Sequence, residues 1–194
     1  MTPLLAKLLH LAGMVGWWLI RRPFARKSKR NLILHNSRDG REWALLTVST
    51  AGLGVIPFVY IVSGFPAAAN QAFSPLRAWF GAATFSAALC LFHATHRALG
   101  RNWSVTLAVR EGHELVTRGV YRYLRHPMYT AFWLWAVAQA LLLQNWIAGP
   151  AGLIGFGTLY VFRIGREEAL MRGTFGTAWD EYAARTHRIL PFLH

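Results

Sequence analysis

Acidic side chains are scarce in this chain of 194 residues: eight Asp and Glu stand against 21 Lys and Arg, a formal net charge of +13. Cysteine is scarcer still. Cys90 is the only one, which excludes an intrachain disulfide and a thiolate metal cluster. The residue itself reads as a small side chain buried in a helix. The chain has no His-Glu-x-x-His motif and no Ser-His-Asp set. The "GLG" at 52–54 and the "GFG" at 155–157 follow no strand, so neither is a dinucleotide loop and no Rossmann domain is expected. His93 and His96 lie three apart but lack a third partner, so they read as interfacial polar residues and no metal is expected. Internal repeats and low-complexity linkers are also missing.

What the chain does have is apolar residues in blocks, with the charges crowded between them. A membrane span needs about 20 mostly apolar residues. Five spans are predicted, at about 3–20, 43–62, 79–96, 128–143 and 146–162, folding as one all-α membrane domain over 1–194. The first block lacks a basic region before it and a small-residue cleavage site after it. The stretch "RRPFARKSKR" that follows is a stop-transfer flank rather than the end of a signal peptide. Lys and Arg are lopsided between blocks: eight in 21–42, one in 63–78, six in 97–127, none in 144–145 and five from 163 onward. By the positive-inside rule the N-terminus lies outside, and the two basic loops and the C-terminal tail are cytoplasmic. Topology and attraction to anionic membrane lipid account for the basic charge, and no contiguous basic face points to nucleic acid. Trp17, Trp18, Trp43, Trp79, Trp103 and Trp146 fall near span ends, as an aromatic belt does. The glycines within spans read as close-packing positions.

The stretch "GVYRYLRHPMYTAFW", 119–133, sets Arg125, His126 and Tyr129 at the threshold of the fourth span. Pro127 suits the first helical position, and a helix N-terminus beside an arginine fork suits a carboxylate or phosphate. The cluster reads equally as an anion grip or as an Arg/Tyr interfacial anchor. In the tail, Arg163 and Glu167 are four apart and share a helix face. The two-residue turn 144–145 makes spans four and five a hairpin. That brings Arg125, His126 and Tyr129 near Arg163 and Glu167 at the cytoplasmic rim.

The segments "HELVTRGVYRYLRHPMY", "REEALMRGTFG" and "WDEYAARTHRILPF" resemble the isoprenylcysteine carboxyl methyltransferase family, within the wider membrane phospholipid methyltransferase group. The resemblance covers about 100–192. It implies a cytoplasmic C-terminal cap and an S-adenosylmethionine cofactor (leaving as S-adenosylhomocysteine) held without a Rossmann domain. His113, Glu114, Leu115, Val116, Tyr121, His126, Pro127, Met128, Tyr129 and Glu167 would line that cofactor. Arg163 would face the substrate, and Arg163 and Glu167 would be catalytic. The partner implied is a lipophilic or prenylated small molecule or peptide, with the α-carboxylate of a prenylated cysteine as the favoured methyl acceptor. The alternatives are a phospholipid amine and, less favoured, an NADPH-dependent membrane reductase, since sterol reductases share a similar C-terminal segment.

Overall fold

A computed structural model describes residues 1–28, 33–36, 39–100, 108–110 and 114–189. The elements in order are α1 (Pro3–Ser28), β1 (Ile33–Asn36), α2 (Gly40–Thr50), a π-helical turn (Ala51–Val55), α3 (Ile56–Ser63), a 3-10 turn (Ala67–Ala69), α4 (Pro75–Leu99), β2 (Ala108–Arg110), a second 3-10 turn (Gly119–Arg122), α5 (Pro127–Leu143), α6 (Ala151–Phe175) and α7 (Thr177–Ala184). The all-α expectation needs one amendment: β1 and β2 pair antiparallel as a two-stranded ribbon.

Among the described residues, three helices are long and apolar enough to cross a membrane: Pro3–Arg26, Gly40–Ser63 and Pro75–Leu99, while Pro127–Leu143 is apolar but shorter. At ~1.5 Å rise per residue, 24 residues extend ~36 Å and exceed a ~30 Å hydrocarbon core. Large apolar side chains such as Leu4, Val62, Phe80, Ile154 and Val161 stand exposed on the outer surface, as lipid contact requires. Together these features make the chain an integral membrane protein. Cys90 is exposed on α4 rather than buried, because that face of the helix turns away from the bundle.

The expected fifth span differs from the helix observed. The chain does not turn at 144–145 and re-enter a helix at Trp146. Asn145 Oδ1 accepts the backbone N–H groups of Ile147 and Ala148 at 2.9 Å each, holding a turn that runs on to Pro150. Its amide group donates to Pro66 O at 3.1 Å and to Asn70 Oδ1 at 2.9 Å. The helix therefore begins at Ala151. It also continues well beyond 162, so its second half carries the charged residues 163–172.

The core is aromatic, with Phe85, Phe92, Phe132, Trp135 and Phe156 in mutual ring contact. α2 and the π turn lie directly against α6. A Cβ on Gly52 would fall 2.3 Å from Ala151 O, and one on Gly155 would fall 2.7 Å from Val48 O and 3.1 Å from Gly52 Cα. Only glycine permits that approach. The π turn leaves backbone carbonyls out of helical register, and the fully buried Gln139 supplies a donor: Nε2 reaches Gly52 O at 3.0 Å and Ala148 O at 2.7 Å.

Replacing Gly155 by Val should force α2 and α6 apart, at a cost of about 1–3 kcal/mol. Gly165, also on α6, has open space where a side chain would go, so Gly165→Ala is the control. Thermal unfolding in detergent should show a lowered midpoint for the first variant and none for the second.

Candidate functional site

α5 begins at Pro127, whose fixed φ and missing N–H suit the first helical position. His126 and Tyr129 flank that start, both buried, with rings stacked at 5.5 Å between centroids. α6 runs antiparallel beside α5 and presents Arg163 and, one turn later, the adjacent Glu167 and Glu168. Tyr129 OH donates to Glu167 Oε2 at 2.5 Å. Glu167 Oε1 lies 3.8 Å from His126 Nδ1, and Glu167 Oε2 lies 4.0 Å from Arg163 Nε. His126 Nε2 lies 3.1 Å from Glu168 Oε1. The structure thus brings the two sequence-distant clusters together.

Arg125 does something other than either reading foresaw. Its Nη1 donates to the main-chain carbonyls of Ala183 and Thr186, and its Nε sits 3.5 Å from Glu168. The fork clasps the tail. The residues after α7 lie alongside 123–126: His187 N donates to Tyr123 O, Arg125 N to His187 O and His126 N to Arg188 O, at 3.0, 2.7 and 3.0 Å. Arg188 closes the strap with two bonds to Glu168, Nε at 3.0 Å and Nη2 at 2.7 Å. Burial pushes the Glu168 carboxyl up, but the hydrogen bonds from His126 and Arg188 outweigh it and hold the group down to about 2.

One cavity of about 500 Å³ opens beneath this network, within the ~300–1,000 Å³ range of small-molecule sites. Of the residues expected at a cofactor, Glu114, Leu115, Val116, Tyr121, His126, Met128, Tyr129 and Glu167 line it, as does Arg163. Pro127 is buried behind the wall and does not line it. His113 lies outside the described residues. Away from the rim the wall turns largely apolar and comes from the other elements: Met14 and Trp17 from α1, Leu46 from α2, Leu53 from the π turn, and Phe92 and Leu99 from α4.

Glu42 was not foreseen. Asp39 caps α2, its Oδ1 accepting Glu42 N at 2.8 Å, and Arg166 Nη2 holds Asp39 Oδ2 at 2.9 Å. That cap aims the Glu42 side chain inward, where it is 1% exposed with Oε1 3.2 Å from Arg163 Nη2. Arg163 therefore lies between two carboxylates, one of them fully desolvated. Removing one member of such a pair strands the other charge at a cost of about 3–5 kcal/mol. The signal was present in "RDGREW": an Asp three residues before a Glu, at the edge of an apolar block, reads as a capped helix start. Nothing in the sequence gave that Glu its partner 121 positions away.

Residues 81–173 match the isoprenylcysteine carboxyl methyltransferase (ICMT) family. The family likeness read from the motifs is borne out. Probable protein-S-isoprenylcysteine O-methyltransferase of Oryza sativa subsp. indica is 35% identical over 96 residues, 48% of this chain and 50% of that protein. Protein-S-isoprenylcysteine O-methyltransferase of Homo sapiens is 31% identical over 106 residues, 54% of this chain and 37% of its own length. The chain thus spans about half the length, or less, of these curated relatives. A solved structure of the eukaryotic intramembrane Ras methyltransferase ICMT aligns with a TM-score of 0.59 at 24% identity, covering 82% of this chain and 55% of the other. At that identity the likeness is one of fold. The matched family segment begins at α4 and ends in α6, so it contains α5, His126, Tyr129, Arg163 and Glu167. Glu42 and the α1 wall lie outside it.

A depressed carboxylate stabilises the folded state above its unfolded value near 4.5 and loses that contribution as pH falls through its folded value near 2. The strap should therefore loosen between about pH 4.5 and 2. Hydrogen exchange, corrected for the intrinsic pH dependence, should show protection falling at the amides of Arg125, His126 and His187 while α4 stays protected. In Glu168→Gln the same amides should already be less protected at neutral pH.

Proposed function

We propose that this chain is an S-adenosylmethionine-dependent methyltransferase of the membrane, acting at the cytoplasmic face on a lipid-tailed acceptor, with the α-carboxylate of a prenylated cysteine as the favoured acceptor. The observation that carries the reading is a cavity in which a polar rim of Glu114, Tyr121, His126, Tyr129, Arg163 and Glu167 is continuous with an apolar wall from four other parts of the bundle. A water-soluble cofactor and a hydrocarbon-tailed acceptor need these two environments in contact. The names of the curated relatives support the acceptor class.

The residues present fit the cofactor. Glu167 offers a carboxylate to its cationic methionine end, and Tyr129 and Tyr121 offer aromatic faces to a sulfonium. When bound, S-adenosylmethionine supplies an electrophilic methyl group. The chain itself orients, desolvates and compensates charge. The Tyr129 hydroxyl and the His126 ring fix the Glu167 carboxylate on one side, and Arg163 restrains it on the other. Arg163, held by Glu42, presents its guanidinium at the junction of the polar and apolar walls, where one carboxylate oxygen of an acceptor can be gripped and the other aimed. A carboxylate acceptor arrives ionised and becomes a neutral ester, so no proton has to move. Positioning in a site closed to water supplies most of the rate. An amine acceptor would need deprotonation, and Glu167 is the nearest base.

The double variant Glu42→Gln/Arg163→Gln removes the pair without stranding a charge. It should bind S-adenosylhomocysteine within about twofold of wild type yet lose single-turnover methylation of a prenylated cysteine acceptor. Glu167→Gln should weaken cofactor binding about tenfold to a hundredfold, the cost of about 1.5–3 kcal/mol for a charge-assisted hydrogen bond. Calorimetry on detergent-solubilised protein makes the measurement. Binding of NADPH in place of S-adenosylhomocysteine would overturn the reaction class.

The five-span orientation, with α1, α2–α3, α4, α5 and the first half of α6 crossing, rests on the Lys and Arg distribution. Single cysteines at Arg26 and at the exposed Ala178 beside Trp179 should label from the cytoplasmic side and one at Ala68 from the other, on a Cys90→Ser background because Cys90 is exposed. Labelling of all three from one side would overturn it.

A further inference from the structure

We propose that α1 carries a binding groove for the headgroup of an anionic phospholipid, which shares Trp17 and Arg21 with the cavity but none of the polar rim residues, and whose role is independent of the reaction assigned to that rim. The groove has a volume of about 380 Å³ and is lined by Trp17, Trp18, Arg21, Arg22, Ala25 and Arg26. These form two neighbouring rows at one-turn spacing, Trp17–Arg21–Ala25 and Trp18–Arg22–Arg26. Arg21 lies over the Trp17 ring at 5.0 Å and Arg22 over the Trp18 ring at 4.9 Å. The indoles thus hold two guanidiniums side by side, the small Ala25 leaves room beyond them, and Arg26 closes the far end.

The chemistry of the groove selects an anion with a tail. Three cations line it, and among the described residues no acidic side chain does. Arg22, exposed and over the Trp18 ring, and the exposed Arg26 carry guanidinium forks that match the geometry of a phosphate. Trp18, Arg22 and Arg26 are exposed. One turn back along the helix, Val15 and Leu19 are exposed too, at 55% each, a surface that acyl chains can cover. Paired Trp at the end of an apolar helix marks the headgroup level of a bilayer. A free phosphate would leave the apolar part unused, and a nucleic acid would have to reach indoles at membrane depth.

The test uses the full chain in a neutral detergent and follows its thermal midpoint during titration with short-chain phosphatidylglycerol, short-chain phosphatidylcholine, inorganic phosphate or a short DNA duplex. Phosphatidylglycerol alone should stabilise the protein saturably. The variant Arg22→Gln/Arg26→Gln leaves Trp17 and Arg21 untouched, because those two also wall the cavity. It should keep the ligand-free midpoint and bind phosphatidylglycerol roughly tenfold to thirtyfold more weakly, the effect of about 1 kcal/mol per interfacial Arg. If the double variant does not elute as folded protein, Arg22→Gln alone is read the same way, with a loss of about fivefold. Equal response to both lipids, unchanged affinity in the variant, saturation by inorganic phosphate at the lipid's concentrations, or duplex binding that the variant abolishes would each overturn the proposal.

Discussion

The contact of α2 and the π turn with α6, through Val48, Gly52 and Gly155, is the constraint on which the rest of the structure depends. In a bilayer, apolar side chains have lipid as an equal alternative, so helices associate through close approach and buried polar contacts. Here the backbones come near enough that a single Cβ at Gly52 would meet a carbonyl oxygen at 2.3 Å. The approach places a desolvated carboxylate at the start of α2 within 3.2 Å of a guanidinium midway along α6. A buried charge tolerates little displacement, so the pair and the glycine contact reinforce each other. Gln139 extends the same logic to the π turn, tying Gly52 O to Ala148 O from a third helix.

From that contact the site follows. Arg163 is fixed by Glu42, Glu167 by Tyr129, and Glu168 by His126 and Arg188, so three charged residues within six positions of α6 are held by different partners. The last of these binds the tail to the start of α5. The strap, the α5 N-terminus and the α6 charges form one network over the cavity. The apolar wall is left to helices whose sequences are merely hydrophobic. The groove on α1 shares Trp17 and Arg21 with the cavity lining, so one helix serves both the cavity and the membrane interface.

Much of this was legible in the chain, for physical reasons that can be named. Apolar blocks between basic stretches report bilayer insertion, and three of the predicted spans coincide with long apolar helices. The meeting of His126 and Tyr129 with Glu167 followed from a short connection and a shared depth. The start of α6 did not follow, because an Asn side chain capping two backbone N–H groups outweighed the apolar pattern at 146–150. Cys90 was misjudged, because in a membrane protein an apolar-compatible residue has two acceptable surroundings and composition does not choose between them. Arg125, read equally as an anion grip or an interfacial anchor, instead donates to carbonyls some 60 residues later.

The sequence by itself determined that the chain is a helical membrane protein with a polar, acid-bearing segment after the last apolar block, because hydrophobic periodicity and charge placement are local properties set by bilayer thickness and solvation. Its motifs also carried the family likeness. Only the tertiary structure decided that Glu42 belongs to Arg163, that Arg125 belongs to the tail, and that the first helices complete the cavity. Those are pairings between residues far apart in the chain. Each depends on which helix faces approach one another, and that is settled by the absence of a few Cβ atoms at the α2–α6 contact rather than by any pattern along the chain.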